Sequence, residues 1–241
     1  VVVEHETLGV IADFFDYVAD TSYKFSRLIG AGDANGRYRV YITIYDKALN
    51  SYYTDAGSGF NVDITKPEIS NVELYGGATH LFSDAMNHDL MEIKFDVSEN
   101  PYNLEVTLDS QEQIFGTTWL DGSVYKNVFY KQVKKAFGEG THIIAIKTLD
   151  AAGNSDFKSI AATFDFTKPD LVSGSAAMRY VPGSGNMLSN PKGAKVGTKV
   201  DVSFIVTELL SQNPIVSFGG IYQFKLTSAL SYAYQYEYET K

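Results

Sequence analysis

GRYRVYITIYDKALNS, residues 36–51, returns 104 residues later as GTHIIAIKTLDAAGNS, residues 140–155. Both copies run on to a common exit, VDITKP at 62–67 and FDFTKP at 164–169. Each has a glycine, an alternating apolar strand, an Asp-x-x-x-Asn turn, a second strand and a Thr-Lys-Pro step. Tyr38, Val40, Ile42 and Ile44 alternate in the first copy; His142, Ile144 and Ile146 alternate in the second. A period of two puts one face of a strand into a core. A strand-built unit recurring at about a hundred residues predicts tandem β-sandwich modules.

A second repeat runs out of step with the first. MEIKFDVSEN (91–100) matches KVDVSFIVTELL (199–210), with Phe95 over Phe204 and Glu99 over Glu208, and Val106 then falls over Val216. The segment 67–168 carries both the early signature, F-x-V-S/T-E, and the late one, D-x-x-x-N followed by T-K-P. Residues 1–66 hold the late signature and 169–241 the early one. The expected organisation is therefore one complete module at 67–168, the C-terminal part of a module at 1–66, and the N-terminal part of another at 169–241. Strands are expected on 38–45, 91–98, 141–149, 199–206 and 232–239, with almost no helix. The segment 8–20, LGVIADFFDYVAD, reads as a short helix or as a strand with a turn. The segment 180–199 is rich in Gly, Pro, Ser and Asn and reads as a loop. The prolines of the two Thr-Lys-Pro steps withhold an N–H and stiffen the crossing between modules.

The order of these signatures resembles the bacterial immunoglobulin-like (Big-type) repeats of large surface proteins, adhesins and S-layer-type proteins. Phe95, Val97, Ser98, Glu99, Gly140, Ile144, Ile146, Asp150, Ala152, Asn154, Ser155, Asp165, Thr167 and Pro169 carry the resemblance. It implies an all-β fold of tandem immunoglobulin-like sandwiches, one complete and two partial. It also implies a prokaryotic, extracellular, cell-surface setting. On function it is nearly silent, because one fold serves as spacer in some proteins and binder in others. One departure is Leu49, which stands where the second copy has Gly153.

Composition narrows the classes. Hydrophobic residues make up 44% and aromatics 14%, enough for packed cores and too much for disorder. The net charge of −9 argues against a nucleic-acid partner, which needs clustered cations. The one dense basic run, KQVKKAF at 131–137, reads as a solvated face. Cysteine is absent, which excludes disulfides, thiol catalysis and cysteine metal sites. No stretch has the ~18 apolar residues of a membrane-crossing helix, and the first residues lack a basic-then-apolar leader. No Asn opens an N-linked glycosylation sequon.

Chemistry-bearing residues are sparse. Asp46 with Asn50, and Asp150 with Asn154, read first as Asx turns whose side chains accept backbone N–H groups. Their second reading is a weak calcium site, since these oxygens suit a hard cation and Glu99, Glu208, Asp63 or Asp165 could add ligands at a module end. No cofactor is required, and calcium is the ion those oxygens suit. Glu99 and Glu208 sit one per module, too far apart to serve as acid and base on one glycosidic bond. His5, His80, His88 and His142 show no ligand spacing, and His142 is expected to be half-buried. Trp119, Tyr125, Phe129 and Tyr130 are read as core aromatics, with sugar stacking as the alternative. The stripe Tyr232, Tyr234, Tyr236, Tyr238 is read the same way. No nucleophile, phosphate or dinucleotide motif occurs, so no enzyme is expected. The expected role is structural: a stalk, adhesin spacer or S-layer-like array. Its partners would be neighbouring modules, identical subunits, or surface glycans or proteins. The alternative is a carbohydrate- or protein-binding accessory module of a secreted enzyme or adhesin.

Overall fold

The computed structural model describes residues 1–13, 23, 25–57, 59–77, 80–85, 89–180, 197–220 and 222–239. His88, most of the 180–199 segment and the later part of 8–20 lie outside these. The described chain is all-β, with one 3-10 turn over Lys135–Phe137. It divides into two compact units, Val1–Phe166 and Thr167–Lys241.

The first unit opens with a five-stranded antiparallel sheet. Its strands are β1 (Val2–His5), β2 (Gly9–Asp13), β3 (Gly36–Tyr45), β4 (Ser51–Asp55) and β5 (Phe60–Val62). The order is β2-β1-β3-β4, and β5 also pairs with β3. Strands β4 and β5 behave as one strand interrupted. Tyr41 pairs with Asp55, yet Tyr38 pairs with Phe60, so two residues are extra between the pairs. Gly57 and Gly59 take φ of 133° and 70° in the interruption. A side chain at Gly59 would place its Cβ 2.3 Å from the Tyr38 carbonyl oxygen, an approach only glycine permits. The insertion explains why the repeat spacing falls from 104 residues at the turn to 102 at the Thr-Lys-Pro exit.

Nine strands follow: β6 (Ile69–Tyr75), β7 (Leu81–Phe82), β8 (Leu90–Val97), β9 (Asn103–Leu108), β10 (Glu112–Gln113), β11 (Phe115–Asp121), β12 (Val124–Gln132), β13 (Gly140–Leu149) and β14 (Ser155–Phe164). They form two sheets, β11-β12-β8-β6 and β10-β9-β13-β14-β7. Residues of both sheets meet in one core. Met91, Ile93 and Val97 of β8 and Ile144 and Ile146 of β13 are 0% exposed, which is the outcome of their alternation. Phe82 and Phe164 meet edge to face, and Phe95 stacks on Phe129. Each such buried side chain is worth roughly 1.5–3 kcal/mol relative to exposure, so this core dominates the unit. A two-residue loop joins β11 to β12, with Gly122 at φ 64° supplying the positive φ such loops need.

The second unit contains β15 (Ala177–Tyr180), β16 (Lys199–Ile205), β17 (Ser217–Phe218), β18 (Tyr222–Gln223), β19 (Lys225–Leu230) and β20 (Ala233–Glu239). Its main sheet, β15-β16-β20-β19, has the neighbour order of β6-β8-β12-β11. A shared detail supports the correspondence: Phe224 N–H donates to the Val216 carbonyl as Ile114 N–H does to Val106, both at 2.8 Å. The core is smaller, with Phe204 stacked against Tyr234 and Tyr236. The tyrosine stripe therefore points inward at Tyr234 and Tyr236, while Tyr232 is exposed. The five strands expected from alternation coincide, within a residue or two, with β3, β8, β13, β16 and β20.

Candidate functional site

The two Asp-x-x-x-Asn turns close on themselves in the same way. Asp46 Oδ1 accepts from the Ala48 and Asn50 backbone N–H groups, and Asp46 Oδ2 accepts from Asn50 Nδ2, all at 2.8 Å. Asp150 accepts from the Asn154 N–H and from Asn154 Nδ2, again at 2.8 Å. Both turns need a residue at positive φ, which Gly153 takes at 97° and Leu49 at 68°.

Their surroundings differ. Asp46 is exposed, whereas Asp150 is 2% exposed. In the second copy Asn154 Nδ2 also reaches the Asp63 carbonyl at 3.0 Å and the Thr65 carbonyl at 3.3 Å. Two residues on, Asp156 accepts from Lys66 Nζ at 2.8 Å and from the Ile69 N–H at 3.0 Å. The start of β14 thus clasps the Thr-Lys-Pro segment that leads from the first sheet into the two-sheet core. The Lys66 ammonium and the Ile69 N–H hold the Asp156 carboxyl below the usual range.

Carboxylates converge at this clasp. Oxygens of Asp63, Glu99 and Asp150 lie within 4.8 Å of one another. Burial, and then the charges of Asp150 and Asp63, push the Glu99 carboxyl up. Burial also raises Asp150, but bonds from the Asn154 side chain and from the turn backbone outweigh it, and its carboxyl stays low. The donor set suits a hard divalent cation: three carboxylates from three segments, with the remaining positions of a six- to eight-oxygen shell open to water. Asp46 and Asn50 belong to their own turn and do not join this group. Glu208, the counterpart of Glu99, has Oε1 buried without a protein partner.

Three residues, His142, Trp119 and Tyr130, sit otherwise than the sequence suggests. His142 is expected half-buried but is 7% exposed; its Nδ1 lies 2.6 Å from Asp109 Oδ2 and its ring stacks on Phe164. The acid–base pair satisfies the ring nitrogen, so the imidazole can fill a core position. Trp119 is expected in the core but points outward, 48% exposed on β11. Strand parity decides this: Trp119 pairs with Lys126, which pairs with Asp96, on the outer face, while Phe129 and Phe95 take the inner one. Tyr130 is likewise outward, and Tyr125 packs at the core edge. Trp119 lines an open groove of about 570 Å³ with Asn71, Glu73, Lys94, Asp96 and Lys126. There Asp96 Oδ2 accepts from Asn71 Nδ2 at 2.7 Å and Lys126 Nζ at 2.8 Å. Neither parity nor the groove is visible until the register of β11 is known. His5, by contrast, serves a turn: its Nδ1 accepts from the Thr7 and Leu8 N–H groups.

The fold defines the class of protein, an all-β chain of packed, mainly antiparallel sheets. No described helix is long and apolar enough to cross a membrane. Comparison with known proteins found no matching family model, no matching curated protein and no matching solved structure.

Proposed function

We propose that the chain is a structural segment of tandem immunoglobulin-like sandwiches in an extracellular, prokaryotic cell-surface protein, with no catalytic task. The observation that carries this reading is the clasp. A spacer must fix one module against the next, and here the Asn154 amide and the Asp156 carboxylate hold the connecting segment at Asp63, Thr65, Lys66 and Ile69. Calcium at Asp63, Glu99 and Asp150 would neutralise three clustered carboxylates and stiffen the same joint. Because the chain has no cysteine, spin labels can be attached cleanly at Tyr53→Cys and Leu120→Cys, both exposed positions. A narrow inter-label distance distribution that broadens in Asp156→Ala is expected; a broad one in the unaltered chain would sink the spacer reading.

A second reading draws on one observation, the outward Trp119 above hydrogen-bonding Asp96, Asn71 and Lys126. An aromatic plane beside polar groups suits a saccharide ring. Retention of the chain on an insoluble polysaccharide, lost in Trp119→Ala, would favour the accessory binding module.

A further inference from the structure

We infer that the outer face of the sheet β11-β12-β8-β6 is a platform for a neutral polysaccharide. The ligand is a chain of β-linked hexopyranoses with equatorial hydroxyls, lying along β11 from Trp119 to Phe115. The inference rests on the saccharide reading of Trp119 and names its ligand class; the spacer reading does not depend on it.

Register builds the face. Trp119 pairs with Lys126 and Phe115 with Tyr130, and these partners pair in turn with Asp96 and Glu92 of β8. Residues paired across antiparallel strands share a face, as does every second residue along one strand. Phe115, Trp119 and Tyr130 therefore stand together on the side away from the core, 75%, 48% and 48% exposed. Gly116 keeps β11 close to β12: a Cβ there would lie 2.2 Å from the Val128 carbonyl oxygen and 2.5 Å from Phe129 Cγ. The rings thus sit on a tight ladder of seven pairs, positioned before any ligand arrives.

The fold does not ask for these side chains. In the second unit the hairpin β19–β20 takes the place of β11–β12. Counted from the loop, Ser228 and Glu237 stand where Trp119 and Val128 stand. That sheet forms with polar residues at both positions, so the aromatic and apolar groups of the first are surplus to folding.

Charge selects the class of ligand. Lys126 Nζ lies 2.8 Å from Asp96 Oδ2, and Lys94 Nζ lies 2.5 Å from Glu92 Oε1. With Glu73, the face carries two cations against three carboxylates. An acidic glycan would meet excess like charge and find both ammonium groups engaged. A neutral hydroxyl can donate to Asp96 or accept from Lys126 and brings no unpaired charge to bury. A pyranose with equatorial hydroxyls has apolar C–H faces and a polar rim. The faces suit the rings of Trp119 and Phe115; the rim suits Asp96, Asn71 and Lys126. Four residues of strand, about 13 Å, separate Trp119 from Phe115, a distance that a chain of sugars spans and a single ring does not.

Trp119 is the chain's one tryptophan, so its fluorescence reads this face alone. The test titrates the 1–241 chain with cellohexaose and with hexagalacturonate, an acidic oligomer of equal length. Expected are a saturable change with cellohexaose, none with the acidic oligomer, and affinity lowered roughly threefold or more by Phe115→Ala. Phe115 is exposed, so the variant folds, and thermal unfolding confirms it. No response to cellohexaose, or one that Phe115→Ala leaves unchanged, overturns the inference. Binding of hexagalacturonate in place of cellohexaose rejects the neutral class and keeps Trp119 as a saccharide site. Response to neither, together with no retention on insoluble polysaccharide, rejects both.

Discussion

At residue scale the two copies act as controls for each other. Thr148 is 0% exposed and its hydroxyl has no protein partner; the first copy has Ile44 there. An unsatisfied buried hydroxyl costs about 1–3 kcal/mol, so Thr148→Val should raise the unfolding midpoint. A fall would show the hydroxyl to be hydrogen-bonded. Glu99 makes a pH prediction. Its carboxyl titrates above the ordinary 4.5 in the folded chain, so the folded state binds that proton more tightly than the unfolded state does. Its share of stability is therefore present below pH 4.5 and lost as pH rises through the folded value. Without divalent ions, Glu99→Gln should be more stable than the parent at neutral pH, and the difference should shrink on acidification; equal midpoints at both pH values would contradict it. Both residues are visible in the sequence as repeat positions. Their burial is not, because it depends on what each copy packs against.

At the scale of elements, alternation alone locates β3, β8, β13, β16 and β20, because a half-buried strand leaves that pattern whatever surrounds it. What alternation leaves open is parity, meaning which of two faces is inner. Trp119 shows the consequence: its strand is exposed along its whole length, so its side chains carry no amphipathic signal. The β4–β5 interruption escapes a sequence reading for a related reason, since the two extra residues around Gly57 and Gly59 resemble any turn until pairing is known. Equivalent strands should differ in sensitivity. Ile146→Ala removes a wholly buried side chain and should cost roughly 2–5 kcal/mol. Ile42→Ala, on the half-open face, should cost clearly less in denaturant titrations of the same chain. Equal losses would mean that the N-terminal sheet is covered in solution.

At the scale of the whole molecule, the feature open to test is the joint between the first sheet and the two-sheet core. If calcium occupies Asp63, Glu99 and Asp150, millimolar calcium should raise the midpoint of unfolding of the first unit, and a chelator should reverse it. Asp150→Asn should abolish the response, while Asp46→Asn should keep it, because Asp46 lies outside the group. Identical melting with calcium and with chelator would leave these carboxylates as turn and clasp formers. The repeat announces such a joint through Thr-Lys-Pro and Asp-x-x-x-Asn. It does not announce that the Asn of one turn holds the linker ahead of its own module, since that contact joins residues some ninety positions apart.

The placement of the clasp also fixes how the molecule would carry a pull. Asp156, at the start of β14, grips the chain arriving at Ile69, and the chain leaves at Phe164, the other end of β14. Eight residues of strand, about 26 Å, separate the two points. Tension along the chain would therefore pass from the clasp into the covalent backbone of β14 and out at Phe164, with both points of load on one strand. The ladder of ten pairs with β13 would carry little of it while the clasp holds, and the bond between Asp156 and the Ile69 N–H would be the first link to yield.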